Sequence, residues 1–197
     1  MRSRGAIWTG VLAALCLVAL RPAGPAWGIG FPGDAPVVCS FELHDTATPG
    51  WMITPSRGTA SAVGTMSCNG VVKGAQLTGE PGRFTTRYLY DPLSAPGGNT
   101  CALAGGRGIW EVHLPAVGGG MLDLTGSYSW DGTAVGRMYG DLGRLPVTLA
   151  YEAYPDPGHP DENCLTKAAS HFGLLGQGTI GFASTDFPIL VTPRSRG

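Results

Sequence analysis

Charge is scarce in this chain. Asp, Glu, Lys and Arg make up 14% of its 197 residues, and the 13 cations nearly balance the 14 acids. Without a basic excess there is no phosphate-binding surface, which removes nucleic acid as a partner. Sustained helical periodicity is also missing; the best helical stretch is Asn163 to His171, where Asn163 would cap a turn or two. Recognisable catalytic signatures are absent too. There is no C-x₂₋₄-C knuckle for zinc, no H-E-x-x-H and no G-x-S-x-G, so no cofactor or resident metal is expected.

What the chain does have is glycine, proline and short apolar runs. It carries 32 glycines and 16 prolines, and 43% of its residues are apolar. The first segment stands apart. Arg2 and Arg4 precede an apolar run from Ala6 to Leu20, Arg21 ends it, and small residues follow to Gly28. That order reads as a secretory signal peptide over residues 1–28, cut after Gly28 or after Ala26. The run is shorter than the ~20 apolar residues a bilayer requires, so no membrane span is expected once it is removed. Leu15 rather than a small residue precedes Cys16, against lipidation, and Arg2 and Arg4 are not adjacent, against the twin-arginine route.

Removing 28 of the 197 residues leaves a single domain over residues 29–197 with a formal charge of −4, because three arginines and no acid go with the leader. Cys39, Cys68, Cys101 and Cys164 remain. An even count in an exported chain points to two disulfides. Three connectivities are open. If Val37–Leu43 and Thr59–Ser67 are antiparallel neighbours, Cys39 falls beside Cys68 and Cys101 is left to Cys164.

Between the glycines and prolines, hydrophobicity alternates. Trp110, Val112 and Leu114 share one face against Glu111 and His113; Val147, Leu149, Tyr151 and Ala153 share another against Thr148 and Glu152. Such alternation marks strands with one wet face. From Met121 to Trp130 the same rule holds, and Asp131-Gly132 suits a two-residue type I′ turn. That turn would set Trp130 opposite Thr133, Tyr128 opposite Val135, Gly126 opposite Arg137 and Leu124 opposite Tyr139. Further strand candidates are Val71–Thr78, Arg83–Tyr90, Gly176–Phe182 and Phe187–Val191. Nine or ten short strands with few helices predict an all-β domain, an antiparallel β-barrel, with a β-sandwich as the alternative. Closure favours the barrel because it removes exposed strand edges.

Candidate sites are few. Gly176 to Gly181 spells G-x-G-x-x-G, but no helix or acidic residue follows at dinucleotide spacing, so these glycines read as strand residues. His44-Asp45 and His159-Pro160-Asp161 place imidazole beside carboxylate, an acid–base pairing that only the fold could complete. Asp156, Asp161 and Glu162 cluster in one loop and are weak calcium candidates whose spacing fits no EF-hand. Trp51, in the Pro49-Gly50-Trp51 turn, is the aromatic placed for exposure and hence for ligand stacking.

With these residues assembled, the chain resembles a loosely defined group of small secreted β-proteins from actinobacteria, mostly of unknown function. The resemblance rests on Cys39 in an early strand, Cys68-Asn69-Gly70, Cys101 followed by Gly105-Gly106-Arg107-Gly108, Asn163-Cys164-Leu165-Thr166, and the closing Gly176–Gly181 strand. The eleven arginines against two lysines suit a high-GC genome. The resemblance implies an exported, disulfide-bonded β-domain and transfers no active site. The leading expectation is therefore a secreted, non-enzymatic domain that binds a small ligand or a protein at the cell envelope or outside. The alternative is a small secreted hydrolase or isomerase with a site in the barrel mouth.

Overall fold

The computed structural model describes residues 36–90 and 99–181. The expected signal segment over residues 1–28 and the Phe187–Val191 strand candidate lie outside the described residues. The described residues form nine strands: β1 Val37–Trp51, β2 Gly58–Val72, β3 Ala75–Thr78, β4 Gly82–Tyr90, β5 Gly105–Pro115, β6 Met121–Gly132, β7 Val135–Leu142, β8 Leu145–Pro155 and β9 Ala169–Ile180. All pairings are antiparallel, in the order β1-β9-β8-β7-β6-β5-β4-β2, and β1 pairs back onto β2. The fold is thus a closed eight-stranded antiparallel β-barrel, with β3 added beside β2. No helix occurs among the described residues.

The interior is filled by side chains, as expected for eight strands. Bulk and space are segregated around the wall. β4, β5 and β6 point Phe84, Tyr88, Tyr90, Trp110, Tyr128 and Trp130 inward, all buried. β2 and β9 answer with Ala60, Ala62, Gly176 and Gly178. At Gly176 the reason is direct: a Cβ there would sit 2.5 Å from Cζ of Phe41 and 2.1 Å from the Ala150 carbonyl oxygen. The G-x-G-x-x-G spelling therefore marks a strand that yields room to its neighbours.

Two departures from the sequence-based expectations stand out. The Asp131-Gly132 pair does not form a two-residue turn. Gly132 faces Gly136, Trp130 faces Met138 and Tyr128 faces Gly140, leaving a three-residue loop, Thr133 to Val135. The expected register would set Arg137 on the core face. The observed one keeps Arg137, Val135 and Tyr139 outside and turns Gly136 and Met138 inward. Gly136 matters there, since a Cβ on it would lie 2.3 Å from the Tyr151 hydroxyl. Two-residue turns with both central φ positive occur elsewhere, at Lys73-Gly74 (φ 50 and 77) and Gly143-Arg144 (φ 59 and 71). The first splits the expected Val71–Thr78 strand, so that Val72 faces Ala75 across the hairpin.

The second departure is the helical stretch. Asn163 does cap a turn, its Oδ1 accepting from the N–H groups of Leu165 (3.0 Å) and Thr166 (2.9 Å). No helix follows; Ala169 starts β9 instead, because its partners on β8 and β1 supply the backbone hydrogen bonds.

Cys39 faces Cys68 in the β1–β2 ladder and the two are joined, Cα to Cα 4.2 Å. Cys101 is joined to Cys164, tying the connection before β5 to the one before β9, Cα to Cα 6.2 Å. Near the same barrel end, the Cys101 N–H donates to the Met52 carbonyl at 3.0 Å and Ser56 bridges to Asn99.

Candidate functional site

Three places on the molecule bring together residues with chemical potential: the barrel interior, the loop before β9, and the outer wall.

Inside, strand alternation sends His44 to solvent and Asp45 to the core, so the two sequence neighbours do not pair. Asp45 instead accepts a 2.9 Å hydrogen bond from the Tyr88 hydroxyl. Burial pushes its pKa up to about 8, against the lowering effect of the bonds from Tyr88 and the Thr46 backbone. Its Oδ1 has no hydrogen-bond partner among the described residues. An ionised carboxylate in that position would be costly, so the neutral acid is favoured near neutral pH. Nearby, Tyr128 donates to Thr86 Oγ1 at 3.0 Å and Tyr151 to the Asp131 carbonyl at 3.0 Å. Burial raises the pKa of both tyrosines, which stay protonated.

Trp51 belongs to this interior. It is 8% exposed and stacks on Trp130 with ring centroids 5.5 Å apart and planes 1° from parallel. Tyr90 meets it edge-on at 5.6 Å. The exposure expected from its turn position is not found, because the last residue of β1 carries the ring back over the barrel end. The cavity between Trp51, Tyr88, Tyr128, Trp130 and Tyr151 has a free volume of about 20 Å³. That is room for about one water molecule, and no substrate fits it.

The loop before β9 uses its acids internally. Asp156 accepts from the Gly158 N–H at 2.8 Å and lies 3.3 Å from His159 Nδ1; Asp161 pairs with Lys167 at 2.6 Å. Glu162 accepts from the N–H groups of Ser170 (2.7 Å) and His171 (2.8 Å) and contacts His171 Nδ1 at 3.0 Å. Thus the carboxylate beside His159 is Asp156, not its near neighbour Asp161. The rings of His159 and His171 stack at 3.6 Å. The calcium candidates Asp156, Asp161 and Glu162 each have a different partner, and no group of three or more His, Cys, Asp or Glu among the described residues is arranged to hold a metal. His113, outside on β5, contacts Asp123 on β6 at 2.6 Å.

The outer wall holds an open trough of about 850 Å³ lined by residues of β2, β4, β5, β6 and β7. Two cross-strand rows build it. One runs Ser61, Arg87, Ile109, Ser127; the other Thr59, Leu89, Arg107, Ser129, Tyr139. Leu89 (51%), Ile109 (52%) and Tyr139 (47%) are exposed there. Arg87 lies opposite Ile109 and Arg107 opposite Leu89, so the two arginines are diagonal neighbours on one face. Diagonal positions of this kind are roughly 7–8 Å apart, within joint reach of one group. Neither arginine is in any of the ion pairs among the described residues. Asp141 lines the far end on β7, where its Oδ2 accepts from Ser127 Oγ at 3.2 Å.

Sequence reasoning missed this trough. Its signal was only the outward half of each alternation, Arg87 with Leu89 and Arg107 with Ile109, and their adjacency depends on the β4–β5 register. In comparisons with protein families, curated proteins and solved structures, the chain matches none.

Proposed function

We propose that this chain is a secreted, non-enzymatic binding domain that takes its ligand or protein partner on the outer wall of the barrel, at the cell envelope or outside. The observation that carries this reading is the trough across β2 and β4–β7, where exposed Leu89, Ile109 and Tyr139 lie beside Arg87 and Arg107. Apolar side chains with a few placed polar groups are the usual composition of a binding surface. Export is supported by the leader over residues 1–28 and by the two cysteine pairs, which persist in oxidising compartments.

The test has two parts. Expression of the full chain in a secreting actinobacterial host should release a protein beginning at Ile29 or Trp27, read by mass spectrometry; retention inside the cell with the leader intact would refute export. The ¹⁵N-labelled mature protein should then be titrated with solubilised envelope from that host. Resonance broadening confined to the trough strands is expected. Broadening centred on another face, or none, would overturn the assignment of the trough.

A further inference from the structure

We infer that Cys101–Cys164 is a reducible bridge, open to thiol–disulfide exchange with a dithiol, and that it fastens residues 157–167 as a strap across one end of the barrel. The strap stands apart from the trough and does not depend on what binds there.

Topology sets its position. Around the closed ring, β6 and β7 separate the β4–β5 connection from the β8–β9 connection on one side, and β1 and β2 separate them on the other. Antiparallel pairing throughout puts both connections at the same barrel end, on opposite sides of it. The Cys101–Cys164 bridge therefore spans the mouth. At that end Trp51 meets Trp130, Tyr90 and Phe172 at ring-centroid distances of 5.5, 5.6 and 5.2 Å. Cys101 packs against the buried cluster that contains Trp51.

The two sides of the bridge are held differently. Residues 100–104 are bonded to the rim around them. The Cys101 N–H donates to the Met52 carbonyl at 3.0 Å, the Gly132 N–H to the Ala104 carbonyl at 3.0 Å, and the Thr133 hydroxyl to the Ala102 carbonyl at 3.4 Å. Residues 157–167 bond among themselves. Among the described residues, their hydrogen bonds and ion pairs stay within the segment, reach back to Asp156, or go to Ser170 and His171. The stack of His159 on His171 runs the same way. None of these contacts crosses the mouth to residues 100–104; the sulfur–sulfur bond does.

Access separates the two bridges of the molecule. Cys39 and Cys68 are 1% and 2% exposed, whereas Cys101 and Cys164 are both partly exposed. Exchange needs a thiolate to approach a sulfur directly, so an exposed bridge is labile where a buried one resists. With a dithiol as co-reactant the step balances. One thiolate of the dithiol attacks a bridge sulfur and forms a mixed disulfide, and the second thiol then displaces the cysteine. The Cys101–Cys164 bond is broken, two electrons and two protons pass to the cysteines, and the dithiol becomes a disulfide. Residues 157–167 stay attached to β9 through Glu162 and His159 but lose the opposite rim, which uncovers Trp51 and its neighbours.

The test treats the protein with graded dithiothreitol without denaturant, blocks new thiols with iodoacetamide and maps them by mass spectrometry. Expected is a window in which Cys101 and Cys164 are alkylated while Cys39 and Cys68 stay joined. In that window acrylamide quenching of tryptophan fluorescence should rise. Amide protection should fall over residues 157–167 and persist in the strands. Removing the dithiol before alkylation, with reoxidation, should reverse both changes. Cys101→Ser combined with Cys164→Ser should give the same quenching and exchange without reductant and no response to it, with retained strand protection as the sign of a folded barrel. Opening of both bridges together, or only with global unfolding, would overturn the exchange site. Reduction of Cys101–Cys164 alone with quenching and protection unchanged would overturn the strap.

Discussion

The Tyr88 hydroxyl and the Asp45 carboxyl meet at 2.9 Å inside the barrel, although β4 and β1 are separated in the wall by β2. The contact sits at full burial, and the acid's pKa of about 8 follows chiefly from the loss of water around it. Folding therefore favours the protonated acid, and the sign of its pH dependence is fixed. The native state holds the proton better than the unfolded chain. The stabilisation is fully present below the ordinary carboxyl value and is lost as pH rises toward and through 8.

Asp45→Asn removes the ionisation while keeping a group of the same shape. Chemical denaturation of the protein between pH 5 and pH 9 should show stability falling with pH, by on the order of a few kcal/mol. In the variant that slope should flatten, with the variant the more stable of the two at pH 9. An unchanged slope would mean that Asp45 ionises freely in the fold.

Glu162 acts in the opposite sense. Burial pushes its pKa up, but hydrogen bonds from the His171 side chain and from the His171 and Ser170 N–H groups outweigh it, and the net direction is down. Its stabilisation is present above the ordinary glutamate value and is lost as pH falls through the lowered one. Glu162→Ala leaves two backbone donors at the start of β9 without their acceptor, at a cost of ~1–3 kcal/mol. Urea titration at pH 7 measures it, and the difference from the parent protein should shrink below pH 4.

Gly176→Ala places a methyl group against Phe41 and the Ala150 carbonyl. Overpacking of this kind costs ~1–3 kcal/mol. The thermal midpoint should fall accordingly, and Gly74→Ala, where nothing lies within 4 Å, serves as the control for crowding, its penalty arising only from the positive φ. Equal losses in the two variants would remove the steric account of the glycine-rich wall.

Peptide mapping of the unreduced protein should return Cys39 linked to Cys68 and Cys101 linked to Cys164. Replacing Cys101 and Cys164 together with alanine should cost ~2–4 kcal/mol, because the bridge closes a long stretch of chain. Retained stability in that double variant would show that the loops at this barrel end are held by their hydrogen bonds alone.

Much of the fold was legible because alternation is a local property. Trp110, Val112 and Leu114, or Val147, Leu149 and Tyr151, declare a buried face whatever they pack against. The Cys39–Cys68 pairing followed from the same logic, since adjacent antiparallel strands bring those positions together. The β6–β7 register was not legible. Asp131-Gly132 is a strong local turn signal, yet the interior required Gly136 beside Tyr151 and Arg137 in water. Turn chemistry is worth less than a buried guanidinium costs, so packing overrode it.

For the candidate site the balance reverses. The sequence by itself determined that this is an all-β, low-charge, cysteine-paired chain, because composition and alternation need no partner to be read. It also singled out Trp51, which the tertiary structure takes inside to stack on Trp130. Only closure of the barrel decided that the interior is filled, that Asp45 leaves His44 for Tyr88, and that Arg87 and Arg107 share one outer face. The physical reason is register: a strand fixes which of its side chains point outward, but the neighbouring strand fixes which of them meet.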